Sequence, residues 1–232
     1  MTEILSKQSS NVLAAKEENK YIGVMEMAGL AQKGGEVHVH CRISKVKSDI
    51  SAVRVAEGQA DAIIGGDLVV TASPKAQSLV KKNRTKVVCN SNELVTGDFT
   101  RNPNLKMDTD SMRDSIVSRA HKDFVWFIDS TKSAKTYLGD SIYSNIILLG
   151  FAFQAGLIPL SSGSLEAALK KNSVNCDENI RAFTIGRHLF QNGDDSACKK
   201  DSLEEMMPND NVTFERGYKA RKHRLIDFGG RR

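Results

Sequence analysis

The sequence predicts an α/β chain, a three-layer, mostly parallel Rossmann-like sheet with helices on both faces. Apolar runs of strand length alternate with helical stretches through the first half. From Ser141 onward the pattern turns strongly helical. The size agrees: 232 residues, 40% of them hydrophobic, fit one large domain over residues 1–190, with a polar linker and short helical appendix over residues 191–232.

Taken in order, residues 4–18 read as a helix with Ile4, Leu5, Val12 and Leu13 on one side. Tyr21 to Met25 is an apolar run of strand length, and a glycine-containing loop from Ala28 to Gly35 follows. Residues 36–43 then alternate. Val37, Val39, Cys41 and Ile43 point one way, and Glu36, His38, His40 and Arg42 the other. A strand with one polar face belongs at a sheet edge or along a cleft. The unbroken Leu-Val-Val run predicts a third strand over Asp67 to Ala72, buried on both sides. Ser73-Pro74 opens a helix, with serine as cap and proline in the first position.

Thr85 to Cys89 and Phe124 to Ile128 predict the fourth and fifth strands, with a helix over Thr109 to His121 between them. The irregular stretch from Asn90 to Lys106 is long, and such loops are usually functional or covered by a partner. Ile142, Ile146, Leu149 and Phe153 form a helical stripe whose flanks Ile147, Leu148 and Phe151 fill. A helix apolar nearly all round is central to a core or sandwiched. Leu165 to Lys171 and Glu178 to Phe190 complete the helices, the second opened by Asp177 near its positive end.

Net charge is +5 and the pI near 9.0, values that nucleic-acid binders share. The basic residues argue otherwise, because Lys81-Lys82, Lys170-Lys171 and Lys199-Lys200 are short clusters with acidic neighbours nearby. The basic tail from Arg216 to Arg232 reads as a solvated helix face, so no nucleic-acid partner is expected. Cys41, Cys89, Cys176 and Cys198 are scattered without a CxxC pair, which speaks against a zinc site, an iron–sulfur site and a disulfide framework. A reduced, cytoplasmic compartment follows. The start is polar, and the longest apolar run, Ile146 to Ala152, falls short of a membrane span.

Three loops follow apolar strands, where open α/β sheets place their ligand crevices. In Gly29 to Gly35, paired glycines bare backbone N–H groups and Lys33 adds charge, which suits an anion; a tight turn is the plainer reading, and the spacing is not that of a P-loop. Ala72 to Lys75 is open to an anion at a helix start or to ordinary capping. Cys89 to Phe99 is dense in hydrogen-bonding side chains, with Cys89 itself read as a small buried hydrophobe. His38 and His40 share a face, yet no third ligand is identifiable and no metal is expected. No nucleophile–base pair or pair of catalytic carboxylates appears. The residues themselves lead to an α/β domain with a ligand or partner cleft.

Those loops carry a resemblance. Met27 to Gly35 followed by His40-Cys41-Arg42-Ile43 is similar to the strand–loop–strand signature of the gamma domain of 2-oxoacid:ferredoxin oxidoreductases, of the indolepyruvate type. Gly66 to Val70 with Ala72 to Lys75 resembles the next block, and Asn90 with Thr96-Gly97-Asp98-Phe99 the one after it. Leu138 to Asn145 and Leu149 to Leu160 are similar to the family's long central helix and its exit. Glu178-Asn179, Ala182-Phe183 and Gly186-Arg187 resemble its closing motif. The blocks run in order from Tyr21 to Arg187, and Ser202 to Met206 with Tyr218 to Arg221 resembles the region that follows in the fused enzyme.

There are departures. The family's domain opens with a strand and a GxGGxG loop leading into a helix, whereas Met1 falls inside that helix here. The first strand is therefore expected from a partner, or the chain is a piece of a larger protein. Val39, Cys41 and Gly66 stand where the family usually has Ser, Val and Cys.

The resemblance implies part of an oxidoreductase complex that acts on an oxo group with ferredoxin as acceptor, inactive alone. Thiamine diphosphate, iron–sulfur clusters and coenzyme A are expected in the full complex and none on this chain by itself. Thiamine-binding and ferredoxin-type domains, and ferredoxin, are the implied partners. Gln32, Lys33, Gly34, Gly35 and Arg42 are expected to face a substrate and coenzyme A cleft, with Asn90 and Thr96 on the neighbouring loop. No residue is assigned a catalytic role. The alternative is a non-catalytic assembly module or truncated remnant of such a complex.

Overall fold

The computed structural model describes residues 12–28, 37–92, 108–172 and 175–192. A short helix, α1 (residues 12–17), leads into an antiparallel hairpin of β1 (Tyr21–Ala28) and β2 (Val37–Ser44), in which Tyr21 faces Ser44 and Ala28 faces Val37. A separate parallel sheet holds β3 (Ala62–Gly65), β4 (Lys86–Asn90) and β5 (Val125–Ile128) in that order. Between these strands run α2 (Leu68–Ala72), α3 (Pro74–Gln77) and α4 (Thr109–Ala120). After β5 come α5 (Ser130–Leu138), α6 (Ser144–Gln154), α7 (Ser162–Asn172) and α8 (Cys176–Asn192).

Strand β4 defines the layers because its side chains alternate between two cores. Val87 and Cys89 join Leu68 of α2 with Ile116 and Ala120 of α4 on one face. On the other, Val88 joins Ile147 and Phe151 of α6 and Phe183 of α8. Helices therefore cover both faces of the parallel sheet, as the sequence predicts. The hairpin attaches to the larger core through Ile22 and Ile43 at its base.

One expected strand is a helix. The Asp67–Ala72 run folds as α2 with Asp67 as its cap, whose carboxylate accepts from the Val70 N–H at 2.9 Å. The Thr71 hydroxyl donates back to the Asp67 carbonyl. These local bonds override the strand preference of paired valines. The third strand lies just upstream, over Ala62–Gly65.

The apolar-all-round helix is α6, buried from Ile146 through Ala152 between the sheet and α8. Its backbone touches that of α8 through two glycines. A methyl group on Gly150 would collide with the Phe183 carbonyl, and one on Gly186 with the Ile147 carbonyl. Arg187 is drawn inside beside them. Its guanidinium stacks 5.4 Å from the Phe153 ring and 5.9 Å from the Phe183 ring, and its Nε donates to Gln154 Oε1 at 3.1 Å. Glu166 faces it at 3.6 Å, and burial lowers its proton affinity against that partner's pull.

The end of α1 is tied to the second half of the chain. Glu18 accepts from the Ser161 N–H at 2.5 Å and from the Ser164 hydroxyl, which places a carboxylate at the start of α7. Lys20 bridges Glu18 at 2.6 Å and donates to the Pro159 carbonyl. Burial works to raise the Glu18 carboxyl, but the donors on Lys20, Ser164 and Ser161 outweigh it and hold it at about 2.

Gly186→Ala is expected to destabilise the chain by about 2–3 kcal/mol or more, because two helix backbones must separate to admit one methyl group. Urea denaturation checks this; Gly163→Ala, at a position with nothing within 4 Å of the added carbon, should change little.

Candidate functional site

At the carboxyl end of β4 the buried Asn90 uses its whole hydrogen-bonding capacity. Its Nδ2 donates to the Gly66 carbonyl at 3.3 Å and to Thr131 Oγ1 at 3.0 Å. Its Oδ1 accepts from the N–H groups of Asn92 and Ser130, each at 3.2 Å. An amide has two donors and two good acceptor directions, so Asn90 is saturated. It locks the loop after β3, its own loop and the first turn of α5 into one unit. Neighbouring Cys89 is fully buried, and burial pushes its thiol up to about 11, the behaviour of a core residue.

The second construction is the polar face of β2. The structure turns His38, His40 and Arg42 toward the chain, while Val37 and Val39 remain 37% and 38% exposed. The segment after Val53 crosses this face and is pinned to it. Arg42 Nη2 donates to the Arg54 carbonyl at 3.3 Å, and the Val55 N–H donates to His40 Nδ1 at 2.8 Å. Accepting at Nδ1 leaves the proton of the neutral ring on Nε2. Burial, and then the charges of Arg54, His38, Lys75 and Arg42, hold His40 below its ordinary value. A cleft of about 320 Å³ opens between β2, this segment and α3, lined among others by His38, His40, Arg54, Glu57 and Lys75.

Of the residues that the sequence assigns to a cleft, Arg42 lies on this face and Asn90 belongs to the strand-end network, so their hydrogen bonds do not share a partner. Gln32, Lys33, Gly34, Gly35 and Thr96 lie outside the described residues. Lys75 falls in the Ala72–Lys75 block. Arg54 and Glu57 carry no periodic or motif signal, and only the fold brings them in. Asn179 is structural, donating to the Asn175 carbonyl one turn back. Among the described residues no group of three or more His, Cys, Asp or Glu side chains could hold a metal, and no helix is long and apolar enough to cross a membrane.

A three-layer α/β domain with an antiparallel hairpin beside its sheet defines a structural class shared with known proteins. The chain belongs to the family described as pyruvate ferredoxin/flavodoxin oxidoreductase, which matches residues 6–189. It is 25% identical over 177 residues to indolepyruvate oxidoreductase subunit IorB of Methanothermobacter thermautotrophicus, spanning 75% of this chain and 84% of that protein. To the IorB subunit of Archaeoglobus fulgidus it is 26% identical over 192 residues, spanning 79% and 88%. Among solved structures, the gamma subunit of a keto/oxoacid ferredoxin oxidoreductase from Geobacter sulfurreducens shares the fold with a TM-score of 0.54 at 16% identity, covering 81% of this chain and 90% of that one. Pyruvate oxidoreductase subunit PORC from Thermotoga maritima does so with a TM-score of 0.52 at 16% identity, covering 79% and 88%. The chain is thus homologous to subunits of oxidoreductases.

Two outcomes are expected. Asn90→Ala strands buried donors and acceptors on three loops, and should cost about 2–4 kcal/mol in chemical denaturation. His40, and His188 buried in α8 beside Arg187, are both held below the ordinary 6.5. The unfolded chain takes up protons that the folded chain refuses, so stability is full above that value and declines as pH falls below it. Denaturation midpoints at pH 7.5 and 5.5 check the sign, and His188→Gln should shrink the difference.

Proposed function

We propose that this chain is the gamma-type subunit of a 2-oxoacid:ferredoxin oxidoreductase of the indolepyruvate type, contributing to oxidative decarboxylation of a 2-oxoacid to an acyl-CoA. The observation that carries the reading is the family match across residues 6–189, a span that contains the sequence blocks from Tyr21 to Arg187. IorB homology supports the indolepyruvate type.

The cysteines fit the division of labour. Cys89 is packed in the core, Cys41 is on the hairpin and Cys176 is at the start of α8, so these three do not converge as cluster ligands. Thiamine-binding and ferredoxin-type partners then hold the thiamine diphosphate and iron–sulfur groups, which supply the decarboxylation and one-electron chemistry. This chain supplies a surface that positions substrate and excludes water. Gln32, Lys33, Gly34, Gly35, Arg42, Asn90 and Thr96 are the proposed cleft residues, Asn90 acting by fixing the loops at the strand ends.

The test is reconstitution with thiamine-binding and ferredoxin-type subunits, followed by coenzyme A-dependent reduction of ferredoxin by indolepyruvate. Co-purification and loss of turnover when the chain is omitted are expected, with weakened coenzyme A dependence for Lys33→Ala. Assembly with turnover unchanged by omission would instead make the chain a non-catalytic assembly module.

A further inference from the structure

Helix α4 turns a polar face outward. Asp110, Ser111, Asp114, Ser115, Ser118 and Arg119 are exposed, while Ile116 and Ala120 on the opposite side are buried with Val87 and Cys89 of β4. The exposed positions come as adjacent pairs one turn apart, the spacing of a single helix face. Asp110, Asp114 and Arg119 are ion-paired with no described residue. Charges on one helix meet at separations of three or four positions, and neither aspartate stands at that distance from Arg119. The helix dipole accounts for Asp110 in the first turn, but its effect fades beyond that turn and gives Asp114 no role.

Reversed end for end, this face matches itself. Set antiparallel to a second copy about a two-fold axis between positions 114 and 115, it brings Asp110 opposite Arg119, Ser111 opposite Ser118 and Asp114 opposite Ser115. Each end of the contact then holds an Asp–Arg pair, and short serine side chains in the middle let the two helices approach closely. A parallel pair would instead set like charges together at both ends. The basic end is reinforced, because the Asn83 N–H donates to the Ala120 carbonyl at 2.9 Å and so brings the turn carrying the exposed Lys81 and Lys82 beside it. Asp108, exposed ahead of the helix, arrives there from the second copy. One discord remains: the Asp114 carboxylates of the two copies approach each other near the axis.

We propose that α4 is the contact through which two copies of this chain associate, antiparallel and about a two-fold axis. A helix of 12 residues is about 18 Å long, so the contact falls at the small, transient end of interface sizes and is salt-sensitive. It uses described residues alone and is independent of the partner assembly proposed above.

Sedimentation equilibrium of the full chain tests it. At low salt and protein concentrations up to about 100 µM a monomer–dimer equilibrium is expected, which high salt shifts toward monomer by screening the pairs. Asp110→Lys and Arg119→Glu each place like charges at both ends, and each should weaken the dimer at least about tenfold. An equal mixture of the two variants faces opposite charges again and should recover the dimer. Asp114→Asn relieves the repulsion at the axis and should strengthen it. All three positions are exposed, and circular dichroism verifies that the variants fold. The proposal is overturned if the single variants associate as the original chain does, if their mixture stays monomeric, or if Asp114→Asn weakens the dimer. A chain monomeric at every salt concentration, with α4 amides protected from exchange only when thiamine-binding subunits are added, also overturns it and gives the face to a different partner.

Discussion

The backbone contact between α6 and α8 is the constraint on which the fold rests. Gly150 and Gly186 each remove the one carbon that would hold the two helices apart, and each lies against a carbonyl of the other helix. Large side chains around the crossing, Ile147 and Phe183 among them, are consequently sealed off from water. With α6 this deep, its other flank is free to cover Val88 of the central strand. Arg187 follows from the same crowding. It sits next to Gly186, cannot reach solvent freely, and is accommodated by two aromatic faces, an amide oxygen and Glu166.

Much of this architecture is legible in the sequence, and the exceptions have physical reasons. Apolar runs at Thr85 to Cys89 and Phe124 to Ile128 announce β4 and β5, which the structure bounds as Lys86–Asn90 and Val125–Ile128. Leu68-Val69-Val70 misleads because residue preference and local hydrogen bonding disagree there, and the Asp67 cap decides the outcome. The true strand, Ala-Ile-Ile-Gly, is too short to stand out from its surroundings. Alternation in β2 is equally plain, but the direction it faces is not. Hydrophobicity alone would turn Val37 and Val39 inward, whereas backbone groups at Arg54 and Val55 claim Arg42 and His40 instead. Such pairing joins residues more than ten positions apart and leaves no periodic trace.

Asn90 and the cleft represent two uses of polar residues near a sheet. The first is closed: every donor and acceptor is consumed in joining loops that leave successive parallel strands. The second is open: backbone bonds fix its frame, and Arg54 and Lys75 on its walls form no ion pair with another described residue. An asparagine in a loop rich in polar residues looks the same in sequence whichever role it has. Only the count of satisfied groups separates them.

The seam at Glu18 bears on how the molecule is built over time. Its partners, Ser161 and Ser164, follow it by 143 and 146 positions, so closing this contact organises a very long loop. A nascent chain cannot seat α1 until the turn after α6 has been synthesised, and Ala14 and Ala15 stay uncovered until then. Docking of α1 therefore waits on the second half of the chain, a contact of high sequence separation.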